Sequence, residues 1–255
     1  MKINNNLISV VILAGGMGSR FSSVNEPPKQ LSKLNKDLII MHIINNFKKF
    51  GFEHFIFPLG AKQKFFIKFF NSKNNISKYK FNILKKNFNK KDIKSNRINI
   101  SLFNAGEKTS KLMRIFRSLK YTINDDFLVT YGDDLANVNL KKLVKKYYLL
   151  NRKKALVAIY KKNSQYGHLI VSKKGLVKKF IEKPPYQFPI NIGFYLFPKK
   201  IIEKFTKYNY ELENNLLPLL TKFKLLESHE HNGYFYSIND KKDLIIAKNK
   251  LKKLH

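Results

Sequence analysis

The sequence predicts an α/β fold: a doubly wound sheet with helices on both faces and a β-rich second half. Three observations predict it. Residues 8–13 (ISVVIL) form a continuous apolar run, rich in β-branched side chains and closed by a Gly-rich turn. That is the pattern of a strand buried on both faces. Residues 38–50 then show helical spacing, and 54–59 a second apolar strand pattern, so the chain opens β–loop–α–β. A third apolar strand, 127–131, runs directly into Gly132-Asp133-Asp134.

The remaining elements follow in order. Residues 62–70 carry aromatic side chains at helical spacing. The polar, basic stretch 81–100 is strand-like at both ends (FNILKK and INISLF), and reads as a long hairpin or a mobile flap. A helix is expected at 109–120, another at 139–152, and a strand at 155–160. Residues 166–181 alternate about Lys173-Lys174-Gly175 and read as a hairpin. Residues 190–197 form a strand pattern, 199–205 and 212–223 look helical, and a strand near 234–238 leads into a helix at 240–254. With no repeat and no clear linker, one domain is expected over 1–255. Its halves divide at about residue 135, and a flap is inserted near 76–100.

Composition narrows the function. At 255 residues, 44% hydrophobic and 14% aromatic, the chain can bury a full core. No run approaches the roughly 18 apolar residues of a membrane span. The polar start, 1–6, lacks a signal-peptide pattern, so a cytoplasmic location is expected. The absence of cysteine excludes disulfides, thiolate metal sites and cysteine nucleophiles. The net charge is +33, from 50 basic and 17 acidic residues, but only five of the basic residues are arginine. A dedicated nucleic-acid surface uses arginine's planar fork as well as lysine. The charge therefore reads as diffuse solvated lysine rather than a nucleic-acid face. A small anionic substrate fits either reading.

Several constellations carry chemistry. Leu13-Ala14-Gly15-Gly16-Met17-Gly18-Ser19-Arg20 follows the first strand. Glycines let the backbone approach an anion, and successive N–H groups at a loop favour phosphate. The segment lacks the Gly-Lys-Ser/Thr ending of a P-loop and the third glycine of a dinucleotide fingerprint. It reads as a phosphate cradle or as a tight strand-to-helix turn. Lys29 sits behind Pro27-Pro28, which stiffen its backbone; the alternative is an ordinary surface lysine. Asp133 lies just past the carboxyl end of a central strand, where open α/β sheets bind ligands. There it can hold Mg²⁺ with one oxygen or serve as a turn residue. Glu182-Lys183-Pro184 and Asn191-Ile192-Gly193 place polar groups at strand ends; they suit sugar hydroxyls and a sugar phosphate, or are ordinary surface polar residues at strand ends.

Taken together and in order, LAGGMGSR at 13–20, PPKQL around Lys29, TYGDD around Asp133, FIEKP ending at Pro184 and INIGFYLF from Ile190 resemble the sugar-1-phosphate nucleotidyltransferases. Within that family the chain looks most like the glucose-1-phosphate cytidylyltransferases, whose long insert the polar segment 81–106 matches. The resemblance covers about 10–251. It implies a Rossmann-like doubly wound mixed sheet whose β-rich half binds the sugar. The reaction it implies is attack by a sugar 1-phosphate, most similar to glucose 1-phosphate, on the α-phosphorus of a nucleoside triphosphate, CTP in that subgroup. Pyrophosphate is expelled without a covalent intermediate.

The resemblance assigns Leu13, Ala14, Gly15, Gly16 and Met17 to base and ribose. Gly18, Ser19 and Arg20 go to the triphosphate, and Lys29 to charge growing at the α-phosphate. Arg114 matches a nucleotide-contacting arginine. Gly132, Glu182, Lys183 and Asn191 match the sugar-phosphate seat, and Asp133 a Mg²⁺ ligand. Where the family carries its second metal aspartate, this chain has Asn239, within Ile238-Asn239-Asp240. Asp240 would serve only after a one-residue shift, which on a strand reverses the side chain. The implied partners are the two substrates and other copies of the chain in a homo-oligomer, with no membrane and no nucleic acid. The alternative is a catalytically weakened relative that binds nucleotide or polyanion.

Overall fold

The computed structural model describes residues 5–16, 18, 20–23 and 25–252. Met17 and Ser19, expected in the nucleotide loop, lie outside the described residues. The chain runs β1 (Ser9–Leu13), β2 (Lys33–Leu34), β3 (Asp37–Leu38), α1 (Ile39–Lys48), β4 (His54–Leu59), α2 (Gln63–Asn71), α3 (Lys73–Tyr79), β5 (Phe81–Ile83) and β6 (Ile98–Asn104). It continues α4 (Lys111–Ser118), β7 (Asp126–Tyr131), β8 (Asp134–Ala136), α5 (Leu140–Leu149), β9 (Ala155–Tyr160), β10 (His168–Val171), β11 (Val177–Ile181) and β12 (Ile190–Pro198). The last elements are α6 (Lys199–Phe205), a π-helical turn (Leu212–Leu216), α7 (Leu217–Lys222), β13 (Leu226–His231), β14 (Phe235–Ser237) and α8 (Lys241–Lys252).

Eight strands form one mixed sheet in the order β13-β9-β12-β7-β1-β4-β6-β5. From β7 to β5 all neighbours are parallel, whereas β12 is antiparallel to both β7 and β9. Strand alternation sends Val10 and Ile12 to the face covered by α1, α2, α5 and α8, and Val11 and Leu13 to the face covered by α4, α6 and α7. All five residues of β1 are buried, which is why ISVVIL shows no polar alternation. Each such buried aliphatic side chain contributes about 1.5–3 kcal/mol. Local chemistry sets the helix starts: the Ser110 hydroxyl accepts from the Met113 amide at 3.1 Å ahead of α4, and Asn139 Oδ1 from the Lys142 amide at 3.0 Å ahead of α5.

From β1 the chain steps outward to β4 and on to the edge strand β5, comes back to β6 between them, and then crosses to β7 on the other side of β1. The strand order therefore reverses between β1 and β7, and a crevice opens at their carboxyl ends.

One expectation is corrected. Residues 81–100 are not a hairpin, because β5 and β6 run parallel, with Phe81 opposite Ile98 and Ile83 opposite Ile100. A parallel pair needs a crossover, here residues 84–97 with one 3₁₀ turn at Lys90–Asp92. The Asn99 side chain ties that crossover to the sheet, donating to the Lys94 carbonyl at 3.0 Å and accepting from the Lys94 amide at 2.9 Å. The hairpin β10–β11 forms as expected, but apart from the main sheet. Leu169, Ile170 and Phe180 on it are exposed.

His54, fully buried in β4, bonds Ser9 Oγ through Nδ1 and Ser101 Oγ through Nε2, both at 2.9 Å. Burial lowers its pKa to about 3. The neutral ring is thus favoured by folding, and stability present above the unfolded pKa near 6.5 is lost as pH falls toward 3. Between pH 6.5 and 5 the wild type should lose about 2 kcal/mol more than a His54→Gln variant, at ~1.4 kcal/mol per pH unit. Urea midpoints at the two pH values measure the difference. Parallel curves for the two proteins would refute it.

Candidate active site

At the crevice the Gly132 amide donates to the Leu13 carbonyl at 3.0 Å, so β1 and β7 stay in register past their ends. A Cβ at Gly132 would stand 3.1 Å from Ala14 Cβ and 3.2 Å from Gln30 Cγ. Glycine here lets the loop after β1 and the segment carrying Lys29 meet. Pro28 precedes a 3₁₀ turn, Lys29–Leu31, closed by the Leu31 amide on the Pro28 carbonyl at 2.9 Å. The proline-stiffened backbone aims Lys29 inward, leaving its side chain only 11% exposed.

Lys29 Nζ lies 2.5 Å from Asp133 Oδ2 and donates to the Ile238 carbonyl at 2.7 Å. The Ile238 amide in turn donates to the Asp133 carbonyl at 3.0 Å. Three segments far apart in sequence therefore converge on one ion pair. Asn239 follows Ile238 directly and shares this junction. Its amide donates to Asp243 Oδ2 at 2.8 Å, and Asp240 Oδ1 accepts from the Asp243 amide at 2.9 Å. Asp240 thus caps α8.

The two neighbouring aspartates differ. Asp133 is partly exposed and paired, whereas Asp134 is buried. Burial, and then the charge of Asp133, push the Asp134 carboxyl up to about 7.

Beneath the Gly-rich loop lies Arg114, 4% exposed. Its Nε donates to the Thr109 carbonyl at 3.1 Å and Nη1 to Pro58 at 3.2 Å. Nη2 donates to the Gly106 and Glu107 carbonyls at 2.8 and 3.1 Å. A Cβ on Gly15 would fall 2.0 Å from Nη1, so the loop backbone rests on the guanidinium. Burial lowers the Arg114 pKa, and Arg117 adds to the shift. Gly16, Gly18 and Arg20, in the loop that follows β1, are exposed.

On the β-rich side Asn191 opens β12. Its Oδ1 accepts from the Gly193 amide at 2.9 Å and its Nδ2 donates to the Tyr195 hydroxyl at 2.5 Å. Gly193, at φ 73°, takes a left-handed conformation inside a bulge. A Cβ there would meet Tyr131 Cδ2 at 2.4 Å and Asp134 Oδ2 at 3.0 Å. Asn191 is thereby tied to the aspartate end of β7. Glu182 and Lys183 pair with each other at 3.1 Å beyond β11, both more than half exposed. Among the described residues no hydrogen bond or ion pair links them to Lys29 or Asp133.

Residues outside the motifs also reach this region. Lys62, 2% exposed, donates to the Ser22 hydroxyl at 2.7 Å and carbonyl at 3.2 Å, holding down the segment between Arg20 and Lys29. Its pKa is lowered by burial, partly offset by Glu26. The clue was its position in Gly60-Ala61-Lys62, just past the carboxyl end of β4. Tyr131, Tyr195 and Glu213 form a hydrogen-bonded group behind Asn191, and no local pattern marks them. A cavity of about 1040 Å³ opens nearby between α1, β8 and α8; it is lined by Asp134 but not by Lys29 or Asp133.

For a divalent cation, the donor at the junction is the Asp133 carboxylate; Asn239, next in the chain to Ile238, is exposed and its side-chain nitrogen lies 3.5 Å from Ser237 Oγ. Hard oxygen donors carrying one charge suit Mg²⁺, which keeps several waters and takes phosphate oxygens. The residues present fit such an ion.

The nucleotidyl transferase family profile matches residues 9–242. The chain is 31% identical over 244 residues to the Bacillus subtilis protein named "Probable glucose-1-phosphate cytidylyltransferase", covering 93% of this chain and 94% of that one. It is 25% identical over 248 residues to the glucose-1-phosphate cytidylyltransferase of Salmonella typhimurium, covering 93% of each. The UTP-bound UGPase from Acinetobacter baumannii superposes with a TM-score of 0.70 at 16% identity, over 98% of this chain and 94% of that chain. The last likeness is one of fold.

Proposed function

The chain belongs to the nucleotidyl transferase family and is a sugar-1-phosphate nucleotidyltransferase, and from that premise we propose that it joins CTP to glucose 1-phosphate. A phosphate oxygen of the sugar phosphate attacks the α-phosphorus of CTP. The bond from that phosphorus to the bridging oxygen of the β-phosphate breaks, and pyrophosphate leaves with the electron pair. The products are CDP-glucose and pyrophosphate. The observation that carries this reading is the Lys29–Asp133 pair at 2.5 Å, set beside the Gly-rich loop where the strand order reverses. The similarity to two cytidylyltransferases along nearly their whole length supports the choice of base and sugar.

In this reading the protein catalyses mainly by positioning and charge. The loop backbone of Leu13, Ala14, Gly15, Gly16 and Gly18 cradles the nucleotide, with Gly15 resting on Arg114. Arg20 and Lys29 neutralise the triphosphate, Lys29 at the α-phosphate. Gly132, Asn191, Glu182 and Lys183 seat the sugar phosphate. Asp133 would hold Mg²⁺, with Asn239 as a weaker neutral ligand. Bound there, the ion supplies charge neutralisation to the phosphate oxygens.

Pyrophosphate release from a panel of CTP, UTP, GTP, dTTP and ATP, each with glucose 1-phosphate and mannose 1-phosphate, tests the proposal. The highest kcat/KM is expected for CTP with glucose 1-phosphate. A different best pair would correct the substrates, and no release from any pair would refute catalysis. In the same assay Asn239→Asp adds a charged oxygen donor, and the Mg²⁺ concentration for half-maximal rate should fall about tenfold. An unchanged requirement would remove residue 239 from the metal site.

A further inference from the structure

Behind Asn191 runs a chain of hydrogen bonds with only one possible direction. It starts at Glu213, in the π-helical turn between α6 and α7. The Glu213 carboxylate accepts from Lys111 Nζ and from the Tyr131 hydroxyl. Burial pushes this carboxyl up, but the bonds from Lys111 and Tyr131 outweigh it and hold Glu213 below the usual carboxylate range. An ionised carboxylate can only accept. The Tyr131 proton is therefore committed to Glu213, and the Tyr131 oxygen is left to accept from the Tyr195 hydroxyl, 3.1 Å away. With its own proton spent, Tyr195 must accept from Asn191, and Nδ2 is the only end of that amide that donates. Oδ1 is then turned to the Gly193 amide. Flipping the amide would set Nδ2 against the Gly193 N–H and Oδ1 against a hydroxyl with no proton to give. Both clashes would fall beside the fully buried Tyr195, where unpaired polar groups are costly.

We propose that Glu213 is a positioning residue which, acting through Tyr131 and Tyr195, fixes the orientation of the Asn191 amide and so sets how the sugar 1-phosphate is recognised. One Nδ2 proton and one Oδ1 lone pair of Asn191 remain for a ligand, and their places are dictated from the turn that carries Glu213. The inference rests on Asn191 seating the sugar phosphate, as proposed above. It adds the group that sets that residue's donor and acceptor ends.

The test combines kinetics with a spectrum that needs no turnover. Tyr195→Phe keeps the ring and removes the link. It should raise the KM for the sugar phosphate about fivefold, the worth of roughly one hydrogen bond, and leave the nucleotide KM within about twofold. Glu213→Gln, which preserves shape but not the one-way acceptor, should shift the same constant in the same direction. The double variant Asn191→Ala with Tyr195→Phe should be no worse than Asn191→Ala alone, because the tyrosine acts through Asn191. In a ¹H–¹⁵N spectrum of the full chain, the Asn191 side-chain amide resonances should move in both Tyr195→Phe and Glu213→Gln. Additive losses in the double variant, equal shifts in both KM values, or an unmoved amide would each overturn the relay. Should the wild type release no pyrophosphate with any substrate pair, the proposed function falls. The spectrum would still decide whether Glu213 orients Asn191.

Discussion

Lys29→Met should lower kcat by about 10³-fold while changing the nucleotide KM far less. Preorganised groups aimed at charge that develops in the transition state are worth roughly 10²–10³ in rate each. Lys29 is preorganised in this sense: its ammonium is held between Asp133 Oδ2 at 2.5 Å and the Ile238 carbonyl at 2.7 Å. Methionine keeps the length and apolar stem and removes only the charge and its donors. Lys29→Arg should recover little, since a planar fork cannot reproduce a point charge held between those two acceptors. Steady-state pyrophosphate release, with each substrate varied in turn, measures both effects. A Lys29→Met enzyme with near-normal kcat would remove this lysine from the chemistry.

The second large effect concerns stability. Gly15→Ala should cost about 3 kcal/mol, the upper range for overpacking a tight interior. The added Cβ would stand 2.0 Å from Arg114 Nη1, 2.7 Å from its Cζ and 2.8 Å from the Pro58 carbonyl. Arg114 cannot withdraw cheaply, because four carbonyls hold its guanidinium and leaving them would strand a buried charge. Gly16→Ala is the matched control: among the described residues nothing lies within 4 Å of its added Cβ, and a change within about 0.5 kcal/mol is expected. Denaturant midpoints compare the pair. Equal midpoints would show that the loop does not rest on Arg114 as described.

These contrasts also show what a sequence can reveal. The strand at β1, the glycine turn, Lys29 behind two prolines and Asp133 behind a buried strand were legible because each signal is local. An apolar run, a turn residue and a stiffened backbone are features of a few adjacent positions. The parallel pairing of β5 with β6 was not legible, since two short strand patterns look alike whichever way they pair. Strand β13 (LESHEH) lies at the sheet edge with little burial, so it lacks the apolar alternation that marks a strand. Glu213 and Tyr131 are 82 residues apart, and only the folded sheet makes them neighbours. Lys62 reads as one lysine among many until burial distinguishes it.

The bond from Lys29 to the Ile238 carbonyl spans 209 positions of the chain. A ribosome must deliver residue 238 before that ammonium can settle against its second acceptor. Until then the nascent polypeptide carries its glycine loop and both aspartates without the completed cationic station. The Lys29 ammonium thus gains its second acceptor only after the chain has passed β14, long after the amino-terminal segment that carries the glycine loop has been made.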